Sequence, residues 1–241
     1  MHKNVGRRIA FLIPFSPMPK HRQNALKQFE TCFSDLPTGV DVYYLAAAGV
    51  SIPAELKDVT VRAGSKEGYF RVLEKTRDAL VEIGLSGHYD LTVRGNSSNY
   101  YQVSHIEAFF HDMDSEKKFY GGSFSTVTEE MTPLEYPVSY AGGSGIYLSR
   151  ASCQLLETID IEHYFGVVDD VAIGDFFLKQ GVALTDLPRN DVTDYQIFRR
   201  GLQSRVKSWE SDHRTLVRFD RVHRIHRSQH RLSRGRLRAT F

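Results

Sequence analysis

Apolar and polar positions alternate along this chain in blocks typical of strands followed by helices. The run from Arg8 to Phe15 is apolar and contains Pro14, which predicts a buried first strand followed by a loop. A helix is predicted over Lys20 to Phe33, a second strand over Asp41 to Ala47, and a short third strand over Val59 to Val61. This alternation predicts an α/β domain.

The clearest helical pattern follows Gly64 and predicts a helix that ends near Gly84. One buried stripe is predicted on it, formed by Tyr69, Leu73, Thr76, Leu80 and Ile83. The next strand, His88 to Val93, leads into a polar run from Arg94 to Asn99. Open α/β sheets bind ligands where inner strands end, so this run is a candidate binding loop.

The second half of the chain continues the alternation. Ser104 and Glu107 form a capping box at the start of a predicted helix. A later helix is expected to have Asp169 or Asp170 as its N-cap and to stop at Gly181. The other predicted elements are strands over Phe119–Phe124, Ser144–Ser149 and Val182–Leu187, and helices over 104–113 and Ser152–Ile159.

Composition narrows the class of protein. The 241 residues are 41% hydrophobic and 25% charged, which is typical of one globular domain, here assigned to residues 1–198. No apolar run approaches the roughly 20 residues that span a bilayer, and the apolar stretch near the N-terminus stops at prolines, which does not suit a signal peptide. We therefore expect a cytoplasmic protein, either free or at the inner face of the membrane.

The charge is unevenly distributed although the net charge is only +2. Residues 199–241 carry thirteen basic and three acidic side chains, a balance of +10, which leaves −8 for residues 1–198. We predict a basic helical extension that packs on or near the active site. Such a segment can bind anionic lipid, nucleic acid or an acidic partner, or can simply be a solvated helix face.

Several common chemistries lack their sequence motifs. Cys32 and Cys153 lie among apolar residues and are expected to be buried thiols, not a disulfide or metal pair. The histidines at 223, 226 and 230 lie among arginines, whose charge opposes a cation. HExxH, CxxC, GxxxxGK[ST], GxGxxG and GxSxG motifs are all absent, which disfavours zinc, P-loop, dinucleotide and serine hydrolase sites.

Two adjacent carboxylates, Asp169 and Asp170, are the most informative candidates for chemistry. A carboxylate at a helix start can serve as an N-cap favoured by the helix dipole, or as a general base that accepts a substrate proton. The glycine-rich run Gly142 to Gly145 precedes a predicted strand and would allow a tight turn or a close approach of backbone to ligand.

In order, the segments YDLTVRGNSSNYY, FYGG, YPVSYAGGSGIYLSR and VVDDVAIGDFFLKQGV resemble the fringe and β-1,3-galactosyltransferase-like glycosyltransferases over residues 60–187. The resemblance implies a GT-A-like (Rossmann-like) α/β fold, with a mixed, mostly parallel central sheet flanked by helices. It also implies that Asp170 is the general base, and that Asp169 replaces the family's Glu and holds the acceptor or orients the loop. The segment that would line the sugar and acceptor site comprises Tyr140, Gly143, Ser144 and Gly145.

The family's metal-binding DxD motif falls on Asn96, Ser97 and Ser98, where the pattern fails. Without these carboxylates, Mn²⁺ or Mg²⁺ is either absent or weakly held, and no metal ligand is assigned. Other positive charge would then stabilise the departing diphosphate. The candidates are, in order, Arg94, Lys75, Arg205 and Lys207.

These expectations describe an inverting glycosyltransferase that takes a sugar from a nucleotide-sugar and adds it to a hydroxyl of a cell-surface or capsid glycan. One alternative is an inactive nucleotide- or glycan-binding module of the same fold. A nucleic-acid-binding protein that acts through the basic segment is a further alternative, although few aromatic side chains lie between the arginines to stack on bases.

Overall fold

A seven-stranded sheet forms the centre of the fold, with strands in the order β3-β2-β1-β4-β7-β6-β8. Four strand pairs are parallel, and the two pairs that involve β7 are antiparallel. The strands are β1 (Ile9–Pro14), β2 (Val40–Ala47), β3 (Thr60–Ala63), β4 (Leu91–Gly95), β6 (Tyr120–Val127), β7 (Val138–Ser149) and β8 (Leu184–Asp186). The predicted mixed, mostly parallel sheet is confirmed.

The computed structural model describes residues 7–63, 66–82, 85–187, 190–191 and 216–218. A small second sheet joins β5 (Asn99–Tyr101), β10 (Leu216–Arg218) and β9 (Asn190–Asp191). Most of the predicted basic extension lies outside the described residues, as do Arg205, Lys207, the three clustered histidines and the predicted helix end at 83–84. The described part of the extension, β10, is a strand where a helix was predicted, because it pairs with β5.

Helices cover both faces of the large sheet. The α-helices are α1 (Pro19–Gln28), α2 (Val72–Glu82), α3 (Leu85–His88), α4 (Val103–Phe109), α5 (Arg150–Leu156) and α6 (Asp169–Lys179). Leu80, Cys153 and Phe177 place α2, α5 and α6 in one hydrophobic core. Ala25 and Ile106 place α1 and α4 in the other. The candidate carboxylates therefore belong to the first face.

Both predicted helix caps are wrong. Helix α4 has Gln102 as its N-cap and makes no side-chain capping hydrogen bond, so the predicted capping box does not form. The N-cap of α6 is Val168, with an extended backbone, which puts Asp169 and Asp170 at the first two helical positions. Position within the first turn still favours negative charge, so the pair keeps its dipole contribution without capping the helix.

Two further predictions are corrected by packing. Tyr69 was assigned to the buried stripe, but it lies in a 3-10 turn before α2 and its residue is 66% exposed. The glycine run 142–145 was placed before a strand, yet it lies inside β7. Strand β7 pairs with β6 up to Ala141 and with β4 from Gly145 onward, so the run lies where the ladder is interrupted by a register shift.

Both cysteines are free thiols, and Cys153 is buried as predicted, whereas Cys32 is only partly buried. Among the helices that the structure describes, none is both long and apolar enough to cross a bilayer.

Candidate active site

An ion pair between buried side chains joins strand β4 to helix α6. Arg94 lies near the end of β4, and its guanidinium contacts the carboxylate of Asp169. Both residues are less than 10% exposed, at 3% and 6%. The Arg94 Nη1 also donates a hydrogen bond of 2.6 Å to the carbonyl of Gly143 on β7. The positive charge is therefore neutralised inside the protein and ties three elements together.

Asp170 lies beside this pair and is only partly buried. The backbone N–H of Gly143 donates to Asp170 Oδ2 at 2.9 Å, and the N–H of Val171 donates to Oδ1 at 2.9 Å. Gly143 thus holds Arg94 through its carbonyl and Asp170 through its N–H. The Asp170 carboxylate is fixed in orientation and is the more accessible of the two.

The carboxylates of Asp169 and Asp170 differ in burial and therefore lie in different electrostatic environments. Burial raises the pKa of Asp169 to about 6, although the Arg94 guanidinium opposes the rise and the Asp170 charge adds to it. Near neutral pH, Asp169 is ionised and balances Arg94. Asp170 is then the partly exposed carboxylate, and no ion pair joins it to a cation among the described residues.

The polar loop after β4 is held by side chains that the sequence did not single out. Gln28 on α1 donates to the carbonyls of Asn96 and Asn99 at 2.8 and 2.9 Å. The Tyr101 hydroxyl accepts from the Asn96 N–H at 3.1 Å and donates to the Ser144 carbonyl at 2.9 Å. This network fixes the loop against β7. A glutamine inside a helix gives no sequence signal for such a role.

The side chains at the DxD position do not fit a tightly held divalent cation. Asn96, Ser97 and Ser98 offer neutral oxygens, whereas hard cations prefer carboxylates. Within the part of the chain that the structure describes, no three His, Cys, Asp or Glu side chains are grouped as metal ligands. The described residues therefore assign no metal site.

Lys75 on α2 is 2% exposed, and its Nζ pairs with Glu67 Oε2 at 2.6 Å. Of the four cations expected to bind phosphate, the two in the described residues, Lys75 and Arg94, thus both contact carboxylates.

Strand β7 brings the predicted sugar-site residues alongside the carboxylates. Tyr140 packs on α6 at Gly174, where an added Cβ would lie 2.4 Å from the Tyr140 Cβ. The Ser144 carbonyl accepts hydrogen bonds from Asn99 and Tyr101, while Gly145 pairs with Gly95 at the end of β4. Together with Gly143, these residues form the strand that Asp170 faces.

Tyr69 is a site residue that the sequence assigned to the core. Partial burial, and after it the negative charges of Asp170 and Asp169, raise the pKa of the Tyr69 phenol. The 3-10 turn before α2 therefore lies within electrostatic reach of the candidate base. An aromatic residue at helical spacing gives the same sequence pattern whether it faces the core or the site.

Asp175 fastens the helix that carries the carboxylates. Its carboxylate accepts hydrogen bonds from Tyr136 at 2.9 Å, Tyr164 at 2.8 Å and Lys179 at 2.8 Å. Burial opposes ionisation, but these donors lower the pKa of Asp175. The segment before α6, the segment before β7 and the last residue of α6 are thereby joined to one buried charge.

The chain is similar in structure to a glycosyltransferase involved in the glycosylation of the major capsid of PBCV-1. The two share 12% identity, with 92% of this chain and 98% of that chain covered, at a TM-score of 0.51. The fold is the GT-A fold of glycosyltransferases. In this GT-A domain, strand β7 contacts the carboxylates of α6 through Gly143 and the loop network after β4 through the Ser144 carbonyl.

Two further solved structures are also similar. The mannosyltransferase PcManGT from Pyrobaculum calidifontis, in complex with GDP-Man and Mn²⁺, shares 13% identity over 77% of this chain, at a TM-score of 0.48. This chain spans 56% of that protein's length. The galactosyltransferase LgtC, in complex with donor and acceptor sugar analogs, shares 14% identity over 88% of this chain and 87% of its own, at a TM-score of 0.44. No protein-family model and no curated protein sequence matches this chain.

Proposed function

We propose that this protein is a glycosyltransferase that moves a sugar from a nucleotide-sugar to a glycan hydroxyl with inversion at the anomeric carbon. The observation that carries the proposal is the partly exposed Asp170 carboxylate, held by the Gly143 N–H beside the neutralised Arg94–Asp169 pair. The GT-A fold and the resemblance of the ordered motifs to fringe-like enzymes support it.

In the proposed reaction, Asp170 accepts the proton of an acceptor hydroxyl as its oxygen attacks the anomeric carbon. The new glycosidic C–O bond forms as the bond from that carbon to the phosphate oxygen breaks, and the nucleoside diphosphate leaves from the opposite face with the electron pair. General base catalysis of this kind contributes roughly 10²- to 10⁴-fold. The proton on Asp170 then passes to solvent.

The Arg94–Asp169 pair prepares Asp170 for this step. An unpaired buried carboxylate beside Asp170 would disfavour a second negative charge, whereas the pair is neutral as a unit. Arg94 also fixes the Gly143 carbonyl, so the Gly143 N–H keeps its direction toward Asp170. We therefore assign Asp169 and Arg94 as positioning residues.

The donor is proposed to bind at the polar loop after β4. Asn96, Ser97 and Ser98 offer hydrogen-bond donors to a diphosphate, and an approaching phosphate would compete with carboxylates for Lys75 or Arg94. The backbone of β10 pairs with β5 next to this loop, which supports a contribution from the basic segment that includes Arg205 and Lys207. Tyr140 and the strand 143–145 are proposed to line the sugar and acceptor side.

We further propose that the acceptor is a cell-surface or capsid glycan, or its lipid-linked precursor. The basic segment 199–241 would bind anionic lipid at the cytoplasmic face of the membrane, which would bring the enzyme to such an acceptor.

A second candidate function is an inactive module of the same fold that binds a nucleotide or glycan. The neutral side chains at the DxD position favour it, because they remove the usual means of stabilising the leaving diphosphate.

Titration of the purified full-length chain with UDP-, GDP-, dTDP- and CMP-sugars separates the two candidates. Each titration is made with Mn²⁺ and with EDTA, and nucleotide release is followed with and without an oligosaccharide panel. The proposed enzyme binds one donor class and releases its nucleotide, and an inverted anomeric proton signal appears in the product. Binding of a donor or an oligosaccharide without nucleotide release in any mixture indicates the module, and no binding of any donor or oligosaccharide refutes both.

A further inference from the structure

Three exposed aromatic side chains lie in the turn before α2 and in the segment that leads into α6. The exposed fractions of Tyr69, Phe70 and Phe165 are 66%, 50% and 63%, although most aromatic residues of the described chain are buried. We call these three residues the aromatic platform. An exposed group of aromatic side chains next to polar groups is typical of a binding surface.

The platform is built from two segments that contact each other. The rings of Tyr69 and Phe70 lie edge to face, with centroids 5.3 Å apart. The Arg71 guanidinium lies 5.3 Å from the centroid of the Phe165 ring and also bonds Glu74 at 3.1 Å. The turn before α2 and the turn before α6 therefore form one surface, with Arg71 orienting Phe165.

This surface lies at the approach to Asp170. Phe165 precedes Asp169 in the same segment and lies in a turn closed by a hydrogen bond of 3.0 Å from the Val167 N–H to the Tyr164 carbonyl. Tyr69, on the other segment, lies within electrostatic reach of both carboxylates. The platform thus joins the segment that leads into α6 to a tyrosine that the charges of both carboxylates reach.

We propose that the aromatic platform binds the sugar rings of an oligosaccharide acceptor, next to the sugar whose hydroxyl reacts; this inference rests on the proposed function. The apolar C–H face of a sugar ring stacks on an aromatic ring, while its hydroxyls remain hydrated. Carboxylates border the platform, and Glu74 neutralises Arg71, so a neutral glycan suits it better than the charged half of a nucleotide. The acceptor is therefore a chain of at least two sugars.

Binding of tetrasaccharides to the full-length protein tests this surface. The probes are cellotetraose, maltotetraose, mannotetraose and chitotetraose, titrated by calorimetry, with UDP and GDP titrated in parallel. We expect wild type to bind at least one probe, and Phe165→Ala and Tyr69→Ala each to weaken that binding about tenfold, the upper range for loss of one aromatic contact. Tyr69→Phe, which keeps the ring, should restore most of the affinity.

Phe109→Ala is the matched control, because Phe109 is 45% exposed but lies on α4, which packs on the opposite face of the sheet. It should leave tetrasaccharide affinity unchanged, and the circular dichroism of every variant should match wild type. The inference is overturned if wild type binds no probe, if the platform variants bind as wild type does, or if they lose UDP or GDP affinity instead, since that outcome assigns the rings to a nucleobase.

The same preparations separate this inference from the proposed function. A wild-type protein that binds a tetrasaccharide through the platform but releases no nucleotide from any donor refutes the enzyme and leaves the surface. If wild type and the platform variants all release nucleotide and bind the acceptor equally well, the enzyme is supported and the platform inference is refuted.

Discussion

At the residue scale, the site depends on the small size of Gly143. Its N–H bonds Asp170 and its carbonyl bonds Arg94, so both groups lie close to its Cα. A Cβ added there would lie 2.8 Å from Arg94 Nη1 and 3.1 Å from Asp170 Oδ2. Only glycine lets the strand approach the two side chains this closely.

Gly143→Ala should therefore displace Arg94 or Asp170. We expect the transfer rate to fall at least about tenfold, with unfolding free energy lowered by about 1–3 kcal/mol, as for other overpacked sites. Urea unfolding and steady-state kinetics measure the two effects. Gly87→Ala is the control, because a Cβ there meets nothing within 4 Å. A Gly143→Ala enzyme with wild-type kinetics would refute the close approach.

The Arg94–Asp169 pair predicts a pH dependence of stability. The folded pKa of Asp169, about 6, lies above its unfolded value near 3.8, so its protonated form is favoured by folding. The stability that this raised pKa contributes is fully present below pH 3.8 and is lost as the pH rises through 6. The unfolding free energy of wild type minus that of Asp169→Asn should fall between pH 4 and 7 in urea titrations. A difference that rises over this window would show that the attraction of Arg94 outweighs burial.

Sequence patterns identified the carboxylates and the arginine of the site, but not the residues that hold the surrounding loop in place. Adjacent carboxylates after a glycine-rich run are visible in a sequence, as is an arginine at a strand end. Gln28 and Tyr101 act through backbone contacts between elements far apart in the chain, and no periodicity marks them. Tyr69 has the spacing of a core residue and is nonetheless exposed.

At the element scale, helix α6 holds the base in place and is itself held by Asp175. The buried Asp175 carboxylate joins Tyr136 and Tyr164 to the helix that begins at Asp169. Helix α6 is therefore held in place by the contacts of the Asp175 carboxylate and by strand β7.

Asp175→Ala removes the acceptor from three donors, two of them tyrosines. We expect a loss of about 2–4 kcal/mol in unfolding free energy, because buried donors lose their partner. Because its folded pKa is depressed, the stability that Asp175 contributes is present above pH 3.8 and declines as the pH falls through the folded pKa. Urea titrations at pH 7 and pH 3 measure both effects, with exposed Asp58→Ala as control. If Asp175→Ala and Asp58→Ala had the same unfolding free energy at pH 7, the role of Asp175 in holding α6 would be refuted.

Strands were easier to predict than their boundaries. Strand β1 is a continuous apolar segment and is buried along nearly its whole length, while β2 is mostly apolar apart from Asp41 and is fully buried in its second half. Strand β7 was predicted at less than its full length because its glycines resemble a turn, and its first part, 138–141, is a strand through pairing with β6. Helix α6 begins where predicted, although its cap is Val168.

At the scale of the whole molecule, charge is separated between residues 1–198, with a balance of −8, and residues 199–241, with a balance of +10. Removal of residues 221–241 deletes seven arginines and no acidic residue. We expect the truncated protein to lose most of its pelleting with vesicles that contain anionic phosphatidylserine, and full-length binding to weaken with added salt. Unchanged pelleting after truncation would refute the proposed membrane contact.

Double-stranded DNA and single-stranded RNA serve as competing ligands in the same assay. Binding to either that exceeds vesicle binding at equal salt would favour the nucleic-acid alternative instead.

The fold class follows from the order of elements and the motif resemblance, but the sheet order could not be read from local patterns. Strands β4 and β7 are neighbours although β5 and β6 intervene in the chain. This pairing places the end of β4 beside the glycine run and so assembles the site. The 12% identity to the capsid glycosyltransferase shows that the fold persists where few side chains are shared.

The most direct test of the central claim is the transfer rate of Asp170→Asn, measured with the donor and acceptor that the panels identify. The account predicts a fall in kcat of roughly 10²- to 10⁴-fold with unchanged donor affinity, because the amide cannot accept the hydroxyl proton. Asp112→Asn, at a carboxylate with 98% side-chain exposure, should keep the wild-type rate. An Asp170→Asn enzyme that transfers sugar near the wild-type rate would contradict the account.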